Sequence, residues 1–74
     1  MLMGEYVKYE IDTDWIKLDS FLKLTGMTPT GGQAKAMVTE GKIKVNGEVC
    51  TQRGKKLRSG DRVQCGAFYF EVTN

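Results

Sequence analysis

The spacing of apolar residues changes period along this chain, and the changes predict its elements. Residues 5 to 11, Glu-Tyr-Val-Lys-Tyr-Glu-Ile, alternate loosely and are rich in β-formers, which predicts a strand. Asp12-Thr13-Asp14 follows as a polar turn. Leu18, Phe21 and Leu22 then fall at i, i+3, i+4, one face of a short helix. Asp19 in its first turn suits the helix dipole, and Gly26 suits a left-handed cap. A loop from Met27 to Thr30 leads through Gly31-Gly32 to a second helix over 33–40, with Ala34, Met37 and Val38 as its apolar face and Gly41 closing it. The loop is short, so the helices pack as neighbours.

From residue 42 the period becomes 2. Ile43 and Val45 alternate with Lys42 and Lys44, Asn46-Gly47 signals a hairpin, and Glu48-Val49-Cys50 returns. Residues 51–60 form a basic connector with one apolar anchor, Leu57. Residues 61–65 and 68–72 predict two more strands around Gly66. The order β, α, α, then several β predicts an α+β domain: two short packed helices against a small antiparallel sheet. No repeat, linker or low-complexity tract interrupts it, so residues 1–74 are expected to form a single domain.

Composition restricts the chemistry. A chain of 74 residues buries only about 60% of its unfolded surface, which leaves little room for a deep, water-excluding catalytic pocket. There is no His, so Ser–His and Cys–His arrangements are impossible within the chain. No nucleophile–base pair is visible, and Asp12 and Asp14 flank a turn, where solubilising or capping roles suit them better than catalysis. The expectation is a non-enzyme with no catalytic residue, no metal and no cofactor. Cys50 and Cys65 are not a C-x-x-C pair; they read as two small buried hydrophobes in a reducing compartment, with a single disulfide as the alternative. No basic leader with a long apolar run opens the sequence, and no segment is long and apolar enough to span a bilayer. The reading is a soluble cytoplasmic protein with no membrane partner and no small-molecule substrate.

Charge changes the picture more. The net charge is only +2, yet residues 1–19 hold five acids against two lysines, while residues 35–62 hold eight Lys and Arg against three acids. Lys42 and Lys44 leave one face of a strand, Lys35 lies off the apolar stripe of the second helix, and the connector carrying Arg53, Lys55, Lys56 and Arg58 follows the hairpin and is expected to fold over the same side. Such a surface suits a phosphate backbone; ordinary solvated lysines are the alternative. Gly31 and Gly32, with Gln33, allow close approach of an anion to the backbone at a helix start, or serve as a plain turn. The G-K-[ST] ending of a nucleotide-binding loop is missing.

Three blocks together resemble the S4 RNA-binding domain family. Lys17-Leu18-Asp19-Ser20-Phe21-Leu22 is similar to its opening R-L-D-x-x-L. Thr30-Gly31-Gly32-Gln33-Ala34-Lys35 stands where the family has S-R-S-x-A-R. Residues 41–47 and 57–63 resemble G-x-V-x-V-N-G and V-x-x-G-D-x-V. The match runs from about residue 16 to 65, and its variants resemble small stand-alone S4 proteins. The resemblance implies the S4-like fold, with its alpha-L motif, and a structured RNA partner, ribosomal RNA in particular, in ribosome assembly or translation. Elsewhere the module is attached to pseudouridine synthases, to tyrosyl-tRNA synthetase and to a ribosomal protein. It implies RNA-binding roles for Lys17, Lys35, Lys42 and Lys44, to which the helix start adds backbone or amide contacts from Gly31, Gly32 and Gln33 and the basic connector adds Arg53, Lys55, Lys56 and Arg58. Asp61 is read as structural. The family's Arg is Gly31 here, so backbone amides stand in for a side-chain contact and the binding register is open.

The aromatics flank the basic stretch, which predicts core packing rather than a base-stacking platform, with Trp15 as a lid on the core. Two other classes compete. One is a protein-interaction subunit that uses the strand Phe68–Val72 as an open edge. The other is a small β-grasp carrier, against which the ending Val72-Thr73-Asn74 counts, since such carriers end in Gly-Gly.

Overall fold

A computed structural model describes residues 6–74. In chain order its elements are β1 (Val7–Glu10), β2 (Ile16–Lys17), α1 (Leu18–Leu24), α2 (Gly31–Thr39), β3 (Ile43–Val45), β4 (Glu48–Val49), β5 (Lys56–Leu57), β6 (Arg62–Cys65) and β7 (Phe68–Thr73). Glu5, the first residue of the expected N-terminal strand, lies outside the described residues. The expected α+β architecture is present, and both helices carry the predicted stripes: Leu18, Phe21, Leu22, Ala34 and Val38 are buried.

Five strands form one sheet in the order β1-β7-β6-β3-β4. Strand alternation sends Ile43, Val45, Val63, Cys65, Phe70 and Val72 to one face, where they join the helical residues in a single buried cluster. Phe21 of α1 meets Phe70 and Tyr9 edge-on, with ring centroids 6.2 and 6.0 Å apart. Burying each such side chain contributes about 1.5–3 kcal/mol.

The sheet is mixed, not purely antiparallel. β1 runs parallel to β7, pairing Val7 with Phe70 and Glu10 with Thr73. Parallel neighbours need a long crossover, and here nearly the whole domain lies between the two strands. The same pairing corrects a second expectation. β7 has β1 on one side and β6 on the other, so Phe68–Val72 is not a free edge; the sheet ends at β1 and β4.

α2 starts at Gly31, two residues earlier than the apolar stripe suggests. Glycine disfavours helix interiors, but in the first turn Thr30 compensates: its Oγ1 accepts the Gln33 N–H at 3.2 Å. The Asn46-Gly47 turn has φ of 52° and 89°, the left-handed pair that a tight hairpin requires. It is joined to the start of β6. Asn46 Nδ2 donates to Asp61 Oδ1, Asn46 Oδ1 accepts the Arg62 N–H, and Asp61 Oδ2 accepts the Arg58 N–H at 2.8 Å. Asp61 is therefore a structural staple, as read from the sequence.

Cys65 is buried as expected, and burial raises its thiol pKa, which disfavours a reactive thiolate. Cys50 is only half-buried, and both thiols are free. No helix among the described residues is long and apolar enough to cross a membrane.

Candidate nucleic-acid interface

The connector holds more structure than its composition suggests. Lys56-Leu57 forms a two-residue antiparallel ladder with Ile16-Lys17, with Ile16 opposite Leu57 and Lys17 opposite Lys56. Leu57 is fully buried, as the anchor was expected to be. Its burial lays the preceding residues across the start of α1. Lys17, at the N-cap, makes no side-chain cap. Instead the Leu18 N–H donates to the Lys55 carbonyl at 2.8 Å, and the Asp19 N–H to the Arg53 carbonyl at 3.2 Å. Two of the helix's orphan donors are thus satisfied by the backbone of a basic loop.

The electrostatic result runs against folding stability. Lys17, Arg53, Lys55 and Lys56 are all exposed and surround a helix N-terminus, where cations are unfavourable. Lys17 and Lys56 are directly opposed across the ladder, and like charges so placed repel. Asp19 is the sole acid in that first turn. Among the described residues no salt bridge reaches these four cations; the bridges present are Lys42–Glu40 at 3.1 Å and Arg62–Glu71 at 3.4 Å. The Lys56 ammonium lies 4.6 Å from the centre of the Trp15 ring. Trp15 is 37% exposed and absent from the buried cluster, so it is no lid on the core.

The remaining expected residues fall in separate places. Arg58 is exposed in the turn stapled to the hairpin tip by Asp61. A groove of about 310 Å³ runs between that hairpin and the connector, from Val45 and Asn46 to Gln52 and Lys55. Gly32, Gln33 and Lys35 are exposed on α2, with Gly31 half-buried at its start. Lys44 does not join the connector cations. Its neighbours Ile43 and Val45 face the helices, so Lys44 leaves the opposite sheet face, level with Gln64 of β6. Lys42 is at the far end of β3 from the hairpin tip, paired with Glu40. The expectation that the connector folds over the Lys42 and Lys44 side is corrected: the Leu57 anchor draws it to α1.

Sequence reasoning missed Lys23. Its side-chain Cδ lies 3.9 Å from where a Cβ on Gly31 would stand, so the stem of a lysine on α1 reaches the start of α2. Lys23 lies in the last turn of α1, where a cation suits the helix dipole, and nothing in the sequence signals its approach to Gly31.

Comparison with known proteins identifies the family and the fold. The family model described as S4 domain matches residues 9–73. The chain belongs to the S4 domain family. Among relatives, it is 43% identical over 65 residues to the probable ribosome maturation protein RlbA of Bacillus subtilis strain 168, covering 86% of this chain and 92% of that one. It is 40% identical over 57 residues to the putative RNA-binding protein YbcJ of Escherichia coli K12, covering 77% and 81%. The solution structure of E. coli YbcJ, described as revealing an alfaL motif involved in RNA-binding, superposes with a TM-score of 0.72 and 28% identity over 100% of this chain and 95% of that one. The two-helix and mixed-sheet arrangement is thus the S4 fold.

Proposed function

We propose that this S4 chain, as one domain over residues 1–74, binds structured RNA, ribosomal RNA in particular, and acts in the cytoplasm in ribosome assembly or translation without catalysing a reaction. The observation that carries the reading is the group Lys17, Arg53, Lys55 and Lys56 around the start of α1, which no salt bridge among the described residues reaches. A fold that opposes two lysines and places cations at a positive helix end gives up stability there, and an RNA phosphate between them reverses the sign of that interaction. Membership of the S4 family and the names borne by two relatives, a probable ribosome maturation protein and a putative RNA-binding protein, support the same reading.

The major groove of A-form RNA is too deep and narrow for side chains to read, so recognition of duplex RNA runs mostly through phosphates, shape and 2′-OH groups. Lys17, Arg53, Lys55 and Lys56 hold the central phosphates in this scheme. Arg58 extends the contact toward the hairpin tip. Gly31, Gly32, Gln33, Lys35 and Lys23 provide a second contact at α2, and Lys42 and Lys44 are peripheral. In-cell crosslinking followed by sequencing of bound RNA tests the ribosomal assignment. Recovery concentrated in one ribosomal RNA segment is expected; reads spread in proportion to RNA abundance would contradict it.

A further inference from the structure

We propose that Trp15 is a stacking platform for an unpaired nucleobase, set beside the lysines that hold the adjoining phosphates. The inference rests on the RNA-binding reading and names the RNA feature that this end of the molecule selects: a bulged or looped-out base next to a helix.

Trp15 is the only tryptophan in the chain. Its backbone is held at the carbonyl and at the residue that follows. Thr13 Oγ1 donates to the Trp15 carbonyl at 2.7 Å, and the next residue, Ile16, is locked in the ladder opposite Leu57. The indole is therefore presented from a fixed backbone while 37% of the residue remains in solvent. Lys56 lies over the ring, its ammonium 4.6 Å from the centroid, so a base that stacks there takes the place of the ammonium as the lysine turns to the adjoining phosphate; Lys17 is its cross-strand partner. A nucleotide needs these two elements together: an aromatic face for the base and a mobile cation for its phosphate.

The other large exposed aromatic is Phe68. It lines a groove with Met27, Met37 and Lys42, and that lysine is already paired with Glu40. Trp15 thus combines exposure with cations that no carboxylate among the described residues engages. A lid role would bury the ring, and a purely solubilising role would not place an indole there. Fully paired RNA offers no free base face, so the ring discriminates between paired and unpaired sites.

The test uses the full chain and two RNA hairpins, each closed by the same non-nucleotide linker so that no loop base is free, that differ by one bulged adenosine in the stem. Affinity is read by fluorescence anisotropy at one fixed salt concentration, and contact by Trp15 emission, which reports from this single position. The bulged hairpin is expected to quench the emission and to bind roughly 5- to 100-fold more tightly than the paired one. W15A is expected to abolish that preference while keeping weak binding to both hairpins, and W15F to retain part of it. Equal affinities with unquenched emission would overturn the inference, as would equal quenching by both hairpins or a preference that survives W15A. Failure of the wild-type chain to bind either hairpin would instead remove the RNA-binding reading beneath it.

Discussion

Leu57→Ala is expected to lower folding stability by about 2–5 kcal/mol and to take RNA affinity with it. Leu57 is fully buried and is the one apolar residue between Cys50 and Val63. A domain of this size has a total stability of roughly 4–11 kcal/mol, so the loss is a large share. The coupling to function follows from position. Leu57 pairs with Ile16, and the residues just before it supply the carbonyls that accept the Leu18 and Asp19 N–H groups. Without the anchor, Arg53, Lys55 and Lys56 no longer sit over α1. Urea unfolding should show a lower midpoint with an unchanged slope, and RNA affinity should fall even where the variant remains folded. Leu24→Ala, at a half-exposed position, should change stability by no more than about 0.5 kcal/mol. A Leu57→Ala loss no larger than that of Leu24→Ala would contradict the anchoring role.

Removing the cations should separate binding from folding. The triple variant K17A/K55A/K56A is expected to bind structured RNA on the order of 100-fold more weakly near 0.1 M salt, because about three phosphate contacts are lost. Its stability should stay the same or rise by a few tenths of a kcal/mol. The opposed Lys17–Lys56 pair and the cations at the start of α1 are unfavourable in the free protein, and truncation relieves them. The double variant K42A/K44A should lose less than about tenfold, since Lys44 leaves the far face of the sheet and Lys42 is tied to Glu40. Paired anisotropy and thermal melts read both quantities. Equal losses in the two variants would mean that charge counts and its placement does not.

Both helices were legible in the sequence because Leu18, Phe21 and Leu22, and then Ala34 and Val38, follow the helical period over enough residues to show it. The Asn46-Gly47 hairpin was legible because left-handed φ at both positions needs that residue pair. The Ile16–Leu57 ladder was not, since two-residue strands carry no period. The parallel β1–β7 pairing was not, because local pattern says nothing about which distant strand a segment joins.

At the site, Leu57 could be read as an anchor, but not what it anchors against. That left the connector free to be placed over Lys42 and Lys44, whereas strand alternation and the Ile16 contact put it on the helical side. Trp15 was misjudged for a related reason. An aromatic beside a helix start reads as core by default, and only its 37% exposure with Lys56 over the ring shows otherwise. Lys23 was overlooked because its approach to Gly31 depends on how two helices pack.

The most direct test of the central claim is a salt titration of RNA binding by the wild-type chain, with an RNA hairpin and anisotropy detection. If four to six phosphates are neutralised on a duplex-like surface, log K should fall against log salt with a slope of about −4 to −5. A flat dependence, or no binding at low salt, would contradict phosphate recognition by the cluster around Lys17.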